Sequence, residues 1–558
     1  MKKYKMIFVF RYSIIIAAFL IQSVASAQKL DRMKQMNEDK PTLIVAIIVD
    51  QMKQEFLFRF SDRYGQDGFR RLVNEGFVFR NAHFNYTPTY TGPGHASIFT
   101  GTYPSVHGII GNEWYDRNTG NSVYCVGDDQ TKPVGTTSIS GKMSPRNMLA
   151  STFTDQMRLG SNFRSKVIGI SLKDRGAVLP AGHTANAAYW HDPHLNNWVS
   201  STYYMKELPQ WVKDFNARKI SDSLISQPWN TLYPIETYNM SSPDDSPYEG
   251  LFKGQTRPVF PHDLPEYKAL ESELIRKTPF GDTYTRMFAQ AAVSGEGLGK
   301  RKDTDCLIVS FSTPDYVGHM YGTTAVELED VYLRFDRELG AFLNFLDKEV
   351  GKGKYTLFLT SDHGAAHNVS FLQDNKIPTG NIRGSYISDS LRAFIKRYYN
   401  DEELLLTASG KNIFLNRKKI ESKKIPLNDI QNSCRNFLLT LDGVNSVYIS
   451  TELYGPTYST GFSNLYKNGH HAKRGADIVI QYDPAYLSWH SKTGTSHGSP
   501  YAYDTHVPLI FYGKNIPSGT SVEFADIINI ASTISTMLNI EFPNGNLGKP
   551  LDVLFRQD

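Results

Sequence analysis

The chain has 558 residues, with 60 Lys and Arg against 56 Asp and Glu, and only three cysteines. The length is ample for a large hydrophobic core. The balanced charge argues against nucleic acid as a partner, because binding to a phosphate backbone needs a concentrated basic face. Cys125, Cys306 and Cys434 permit one disulfide at most, so we expect stabilisation by the core, with Cys306 a buried thiol.

The first 27 residues have the pattern of a secretory signal peptide: four basic residues, an apolar run over Ile14–Ile21, and small residues before a cleavage site after Ala27. An uncleaved anchor is the alternative, although the run is short for a membrane span. Cleavage lowers Lys plus Arg from 60 to 56, equal to Asp plus Glu. We therefore expect a near-neutral, periplasmic or secreted monomer without a membrane span.

Apolar strands alternate with amphipathic helices, which is typical of an α/β fold with three layers: a mostly parallel central sheet covered by helices on both faces. Two stretches, 191–280 and 375–475, interrupt this alternation and are predicted to be capping insertions in one catalytic domain over 28–558. The predicted strands are Thr42–Val49, Gly76–Phe84, Lys166–Ser171, Cys306–Ser312, Tyr355–Thr360, Asp477–Tyr482 and Val507–Tyr512. The predicted helices include Asp67–Asn74, His95–Thr100, Ser151–Leu159, Thr283–Val293, Val326–Val350 and Ala525–Leu538.

The stretch over residues 89–101, TYTGPGHASIFTG, is predicted to be a tight turn leading into a helix. Gly92 and Gly94 allow close approach to a ligand, and Pro93 suits the first helical turn. Thr91 would then stand at a helix N-terminus, where free amides and the helix dipole favour an anion and an alkoxide. The alternative is that Thr91 is only an N-cap.

Acidic and histidine residues follow the predicted strands at their carboxyl ends, where ligands bind in open α/β sheets. Asp315 and His319 are one helical turn apart and can reach one ion from the same face. Singly, each residue could be a cap or a satisfied polar group, but three Asp and three His together suggest two metal ions of the Zn²⁺ type rather than Mg²⁺ or Ca²⁺. The residues are Asp50, Asp315, His319, Asp362, His363 and His497.

This set, together with Thr91, resembles the alkaline phosphatase superfamily of two-zinc hydrolases. The similarity covers nearly the whole chain after the signal, from the Asp50 strand to Val507–Gly513 and the Gly548–Leu551 segment. Within the superfamily the chain is most similar to the phosphate-irrepressible alkaline phosphatases, which are secreted bacterial phosphomonoesterases with a threonine nucleophile.

The resemblance implies one zinc bound by Asp315, His319 and His497, and a second bound by Asp50, Asp362 and His363. It implies that Thr91 binds the second zinc as its alkoxide and attacks phosphorus, while the first zinc stabilises the leaving oxygen. Two ions roughly 4 Å apart can hold both apical oxygens of an in-line displacement.

The resemblance also implies that Asn112, Lys173 and Arg175 bind the phosphoryl oxygens. A dianionic monoester suits both a lysine point charge and a guanidinium fork. The alternative for Lys173 and Arg175 is that they are solvated loop charges. His95 and His107 are expected to hold the helix and loop near Thr91 rather than to join the site.

Three other functions compete with a monoesterase. Nucleotide pyrophosphatase/phosphodiesterases share the zinc sites, the threonine and the asparagine, but are less similar around Lys173 and Arg175. A sulfatase is disfavoured because Thr91 and His95 stand where its Cys or Ser and its Arg would be. A non-catalytic exported binding protein is disfavoured because ligands and nucleophile are intact. The resemblance therefore implies hydrolysis of small-molecule phosphate monoesters through a phosphothreonine.

Overall fold

The computed structural model describes residues 40–455, 460–488 and 491–555; the predicted signal peptide lies outside them. The strands are β1 Leu43–Val49, β2 Phe77–His83, β3 Glu113–Tyr115, β4 Ser122–Tyr124, β5 Pro133–Val134, β6 Val167–Ser171, β7 Ala187–Asp192, β8 Asn197–Ser201, β9 Asp305–Phe311, β10 Tyr355–Thr360, β11 Gly380–Asn381, β12 Leu405–Ser409, β13 Asn412–Leu415, β14 Val444–Ile449, β15 Ile478–Tyr482, β16 Tyr486–Leu487, β17 His506–Gly513, β18 Gly519–Ser521 and β19 Ala525–Asp526.

The α-helices are α1 Phe56–Arg59, α2 Phe69–Glu75, α3 Thr91–Thr100, α4 Pro104–His107, α5 Phe153–Gly160, α6 Asp174–Ala181, α7 Gln210–Ala217, α8 Ile220–Leu224, α9 Leu264–Tyr267, α10 Phe280–Glu296, α11 Thr313–Tyr321, α12 Val326–Leu346, α13 Val369–Asp374, α14 Gly384–Tyr399, α15 Arg417–Ser422, α16 Leu427–Leu438, α17 Ser450–Leu453, α18 Phe462–Gly469, α19 Ala502–Thr505 and α20 Asn529–Leu538.

A large twisted sheet organises the molecule, with strand order β18-β2-β17-β10-β1-β9-β6-β7-β8-β5 and β19 paired with β2. The central run from β10 through β1, β9 and β6 to β7 is parallel. Strand β17 runs antiparallel to both β10 and β2. The predicted three-layer α/β architecture with a mostly parallel sheet is thus confirmed.

Strand β1 lies in the middle of the large sheet, and all seven of its apolar residues are buried. Successive side chains of a strand point to opposite faces. Leu43, Val45, Ile47 and Val49 pack into one core with α10 and α12, while Ile44, Ala46 and Ile48 pack into a second core with α3, α5 and α20. A continuous apolar run of this kind is typical of a parallel strand covered on both faces.

One strand prediction and the predicted start of one insertion differ from the structure. The segment predicted as Asp477–Tyr482 forms β15, which belongs to a separate four-stranded sheet and not to the central one. Its buried apolar residues mark a core strand but do not say which core it joins. Strands β7 and β8 extend the central sheet to Ser201, beyond residue 191, where the first insertion was predicted to begin.

The separate sheet has the order β12-β13-β15-β14 and packs with α14 and α16 around its own apolar core. We call residues 380–487 the cap. Arg117 of the β3–β4 hairpin lies 2.7 Å from Oδ2 of the buried Asp477 in the cap, and this ion pair connects the two parts. Arg417, which lies in the cap, is 2.6 Å from Asp477 Oδ1.

The three cysteines are buried free thiols, as predicted for Cys306. In the part of the chain that the structure describes, no helix has both the length and the hydrophobicity needed to cross a membrane.

We expect Ile47→Ala to lower the free energy of unfolding by about 2–5 kcal/mol, because it removes a fully buried side chain from the central strand and leaves a cavity. Urea denaturation measures the change. The matched control is Ile139→Ala, since Ile139 is 79% exposed. Equal effects of the two substitutions would contradict the central role of β1.

Candidate active site

Side chains from strands far apart in sequence meet at one edge of the central sheet. Asp50 directly follows β1, Asp315 lies in the first turn of α11 after β9, and Asp362 and His363 follow β10. These strands are parallel, so their carboxyl ends lie together. His497 precedes β17, which is antiparallel to β10 and therefore begins at the same edge.

Helix α3 begins at Thr91 and is buried along its whole length. Its N-cap is Tyr90, which is in extended conformation and whose own side chain makes no capping hydrogen bond. The alternative in which Thr91 is only a cap is therefore wrong. Thr91 Oγ1 lies 3.5 Å from His363 Nε2. A Cβ on Gly94 would come within 2.3 Å of the Asp362 carbonyl oxygen, so a residue without a side chain is required for α3 to lie this close to the end of β10.

Two groups of acidic and histidine side chains have ligand atoms within 4.8 Å of one another. The first contains Asp315, His319 and His497, the set predicted for one ion. The second contains Asp50, Asp315 and His363, so Asp315 belongs to both groups. The predicted sixth ligand, Asp362, lies at the edge of the second group, with its Oδ2 3.6 Å from His363 Nε2.

The three histidines are all oriented through their Nδ1 atoms, each of which makes a hydrogen bond with a backbone carbonyl. The pairs are His319 with Thr495 at 2.8 Å, His363 with Gly364 at 2.9 Å and His497 with Thr89 at 2.8 Å. This arrangement fixes the tautomer and leaves Nε2 as the atom for a metal ion. The rings of His363 and His497 are stacked with centroids 3.6 Å apart.

The electrostatics of the cluster also fit a metal ion. Asp50 Oδ1 and Asp362 Oδ2 are buried and make no hydrogen bond with any of the described residues, although His95 Nδ1 lies 3.3 Å from Asp362 Oδ2. Burial, with the Asp315 and Asp362 carboxylates nearby, raises the pKa of Asp50 well above its usual range. Burial, with His363 and His319 nearby, lowers the pKa of His497 well below its usual range, so the ring is neutral. Crowded carboxylates and neutral imidazoles are the donor set that a divalent cation stabilises.

Lys173 is buried inside this cluster. Its Nζ donates to Asp50 Oδ2 at 2.6 Å and to Asp315 Oδ2 at 2.5 Å. Burial opposes its charge, but the two carboxylates outweigh this effect and raise its pKa. The alternative of a solvated loop charge is therefore wrong for Lys173, while its contact with a phosphoryl group stays a prediction.

Arg175 contacts the β3–β4 hairpin, and Asn112 contacts the first turn of α3. Arg175 Nη1 donates to the Tyr124 hydroxyl at 3.1 Å, and its Nε is buried and makes no hydrogen bond with the residues that the structure describes. Asn112 Oδ1 accepts the Gly92 amide of α3 at 2.7 Å. Because this oxygen is engaged, Nδ2 is the atom with which Asn112 can donate to an anion.

One residue that contacts both metal groups was not found from the sequence. The side-chain Nε2 of Gln51 donates to Asp315 Oδ1 at 2.8 Å, and the backbone N–H of Gln51 donates to Asp362 Oδ1 at 3.2 Å. Its φ of 65° is unusual for a residue with a side chain and marks a constrained position. The sequence feature that could have indicated Gln51 is its place directly after Asp50. Its side chain is an amide, so it was not among the acidic and histidine residues from which the site was predicted.

The histidines near Thr91 hold the local structure, as expected. His95 Nδ1 makes a hydrogen bond with the Thr91 carbonyl at 2.9 Å, and His95 Nε2 makes one with Ser310 Oγ at 2.9 Å. His107 Nε2 contacts Ser97 Oγ at 3.0 Å. His95 has one further contact, since its Nδ1 lies 3.3 Å from Asp362 Oδ2, which makes it a support for that carboxylate.

Comparison with known proteins agrees with this geometry. The family described as type I phosphodiesterase / nucleotide pyrophosphatase matches residues 44–504. Alkaline phosphatase PafA of Elizabethkingia meningoseptica is 41% identical over 542 residues, which are 96% of this chain and 98% of PafA. Alkaline phosphatase PhoV of Synechococcus elongatus is 41% identical over 548 residues, 97% of this chain and 98% of PhoV.

The fold agrees as well. The crystal structure of wild type alkaline phosphatase PafA superposes with a TM-score of 0.89 and 43% sequence identity, over 92% of this chain and 98% of that one. The family match, the identity over nearly the full length and the shared fold lead to one conclusion: the chain belongs to the type I phosphodiesterase / nucleotide pyrophosphatase family of the alkaline phosphatase superfamily.

Proposed function

We propose that the protein is an exported alkaline phosphatase that hydrolyses phosphate monoesters through a phosphothreonine at Thr91. The observation that carries the proposal is the position of Thr91 Oγ1, at the start of α3 and 3.5 Å from His363 Nε2 in the Asp/His cluster. The 41% identity to two proteins named alkaline phosphatases supports the same activity.

Two zinc ions complete the proposed site. Asp315, His319 and His497 would hold one, and Asp50, Asp362 and His363 the other, with Asp315 close enough to contact both. When bound, the ions supply Lewis acidity, which favours ionised Thr91 and stabilises negative charge on the departing oxygen. Two buried carboxylate oxygens, on Asp50 and Asp362, make no hydrogen bond in the part of the chain that the structure describes, and they support this assignment.

In the first step Thr91 Oγ1 attacks phosphorus in line, the Thr91 O–P bond forms, and the ester P–O bond breaks on the opposite side. The departing alkoxide takes a proton from water. In the second step a water oxygen attacks phosphorus and the water gives a proton to solvent, the Thr91 O–P bond breaks to restore the Thr91 alkoxide, and inorganic phosphate leaves. Asn112 Nδ2, Lys173 and Arg175 hold the non-bridging oxygens, which is most of what phosphoryl transfer needs from a protein.

The proposal includes export through the signal sequence over residues 1–27, since its basic, apolar and small-residue segments occur in the expected order. Sequencing the N-terminus of protein recovered from the periplasm or medium would show Gln28 first.

We expect the purified protein to contain two zinc ions per chain and to lose activity when a chelator removes them, because ionised Asp and neutral His form the site. Metal analysis and a chromogenic monoester assay measure both quantities. His319→Ala should lower the zinc content to about one ion per chain, whereas His194→Ala, at an exposed histidine, should keep both. Full activity in exhaustively metal-stripped protein would refute the zinc site.

Thr91→Ala should lower kcat/KM for a monoester by about 10³-fold or more without unfolding the protein, and Thr91→Ser should keep part of the activity because a hydroxyl remains. Thr100→Ala is the matched control, since Thr100 lies at the other end of α3 and its Oγ1 donates to the Ala96 carbonyl of the same helix. Peptide mass spectrometry of acid-quenched enzyme should find phosphate on Thr91. A phosphorylated residue elsewhere would show that the nucleophile is misassigned.

Arg175→Ala should cost about 2–4 kcal/mol in the transition state for a monoester and far less for a matched diester, because a diester carries one charge fewer. The control is Arg164→Ala, at an arginine whose side chain is 61% exposed. Lys173→Ala should show the same selectivity, and its zinc content needs measuring because Lys173 also contacts Asp50 and Asp315.

The same assays test the nucleotide phosphodiesterase alternative, which the family description favours. A wild type that prefers diesters would overturn the monoesterase proposal. Equal losses on both substrates after Arg175→Ala would mean that this residue only supports the fold.

A further inference from the structure

A lysine of the cap reaches the loop that carries His497. Strands β12 and β13 form an antiparallel hairpin, and the turn between them contains Lys411, whose carbonyl accepts the Ile480 amide of β15 at 2.9 Å. The Lys411 side chain is half-buried, and its Nζ donates to the Gly498 carbonyl at 3.0 Å. The strands of the hairpin and Tyr90 line one cavity of about 500 Å³. The cap therefore lies beside the active site and contacts it directly after His497.

The backbone of Gly498 needs an external contact. A Cβ there would come within 2.3 Å of the Tyr90 ring, and its φ is 103°, so glycine is required at this position. The same lack of a side chain gives the backbone beside His497 more conformational freedom than another residue would give it. The hydrogen bond from Lys411 Nζ restricts the peptide group that follows Gly498. It therefore acts at a flexible point next to a predicted metal ligand.

The position of the His497 ring depends on contacts on both sides of this point. His497 Nδ1 makes a hydrogen bond with the Thr89 carbonyl at 2.8 Å, and Thr89 Oγ1 donates to the Ser499 carbonyl at 3.0 Å. His497 Nε2 lies 3.7 Å from Asp315 Oδ1, in the first metal group. Residues 497–499 are thus held by Thr89 from the catalytic domain and by Lys411 from the cap.

The buried Asp504 carboxylate extends this arrangement to the second metal group. Its Oδ2 accepts the Ser499 amide at 2.7 Å, and the Asp504 backbone carbonyl accepts the amide of Gly364, directly after His363, at 2.8 Å. Burial lowers the pKa of Lys411 to about 8, and the negative charge of Asp504 opposes this effect. Lys411 and Asp504 therefore interact where the segments that follow two predicted metal ligands meet.

We propose that Lys411 is a positioning residue for the hydrolysis: its hydrogen bond from the cap to the Gly498 carbonyl holds the His497 ring in the geometry that stabilises the departing oxygen. The inference rests on the proposed function, in which His497 belongs to the metal group on the side of the leaving alcohol. Lys411 acts through His497 and does not touch the reacting atoms. Loss of its hydrogen bond should weaken both metal binding by His497 and stabilisation of the leaving group.

Metal binding tests the proposal without substrate. Lys411→Met removes the donor and keeps the side-chain length, whereas Lys411→Arg keeps a donor. Transfer of zinc from the loaded protein to a chromophoric chelator should show one of the two ions leaving about tenfold faster in Lys411→Met than in wild type, because residues behind a metal ligand orient it. Lys411→Arg should stay close to wild type. Lys411→Gln, whose side chain is uncharged and one atom shorter, should behave like Lys411→Met, so the test does not depend on the folding of one variant.

Activity on two monoesters provides the second measurement, because ethyl phosphate and p-nitrophenyl phosphate share the phosphoryl group and differ in the alcohol. Ethanol is the poorer leaving group, so stabilisation of the departing oxygen matters more for the ethyl ester. We expect Lys411→Met to lower kcat/KM for ethyl phosphate about tenfold more than for p-nitrophenyl phosphate, and Lys411→Arg to restore most of the loss. A merely structural role would lower both values equally.

The matched control is Lys418→Met, at an exposed lysine of the cap, which should match wild type in both measurements. Zinc release at the wild-type rate, or equal losses on the two esters, in Lys411→Met and Lys411→Gln would overturn the positioning role, while hydrolysis of both esters by wild type keeps the phosphatase proposal. Absence of hydrolysis of either ester by zinc-loaded wild type would overturn both proposals.

Discussion

The concentration of buried negative charge at one sheet edge is the constraint on which the active-site structure depends. Asp50, Asp315 and Asp362 are all nearly or fully removed from solvent. A buried carboxylate is costly unless a cation or hydrogen bonds compensate it. Lys173 compensates two of the three, and Gln51 donates to two, yet within the described parts of the chain Asp50 and Asp362 each keep an oxygen without a hydrogen bond. The fully buried strands β1, β9 and β10 below hold these groups together against their repulsion.

Much of this arrangement could be predicted from the sequence because it depends on strand ends. Apolar runs such as Leu43–Val49 identify the central strands, and the carboxyl ends of parallel strands share an edge. Asp50 follows such a run directly, and Asp362 and His363 follow another after one serine, so their convergence follows from topology alone. His497 was harder, since it lies nine residues before an antiparallel strand, and its assignment needed the resemblance to a known family.

What the sequence did not reveal depends on pairing and on side-chain packing. The apolar residues of β15 fit either sheet, and only its pairing with β13 and β14 places it in the cap. Gln51 escaped notice because its role depends on a positive φ and on two particular acceptors. Lys173 was expected near the phosphoryl group from resemblance, but nothing in the sequence indicates that it bridges Asp50 and Asp315.

The cap has its own core, and the ion pair between Asp477 and Arg117 connects it to the β3–β4 hairpin. Residues on β12 and β13 can therefore vary without disturbing the packing of β1, β9 and β10, which position the reacting groups. Evolution can alter the substrate range of such an enzyme by exchanging residues in the strands of the β12–β13 hairpin while its chemistry stays constant. Since the Arg117–Asp477 ion pair holds the cap against the β3–β4 hairpin of the catalytic domain, a mutation there would loosen the whole cap at once, whichever substrate is bound.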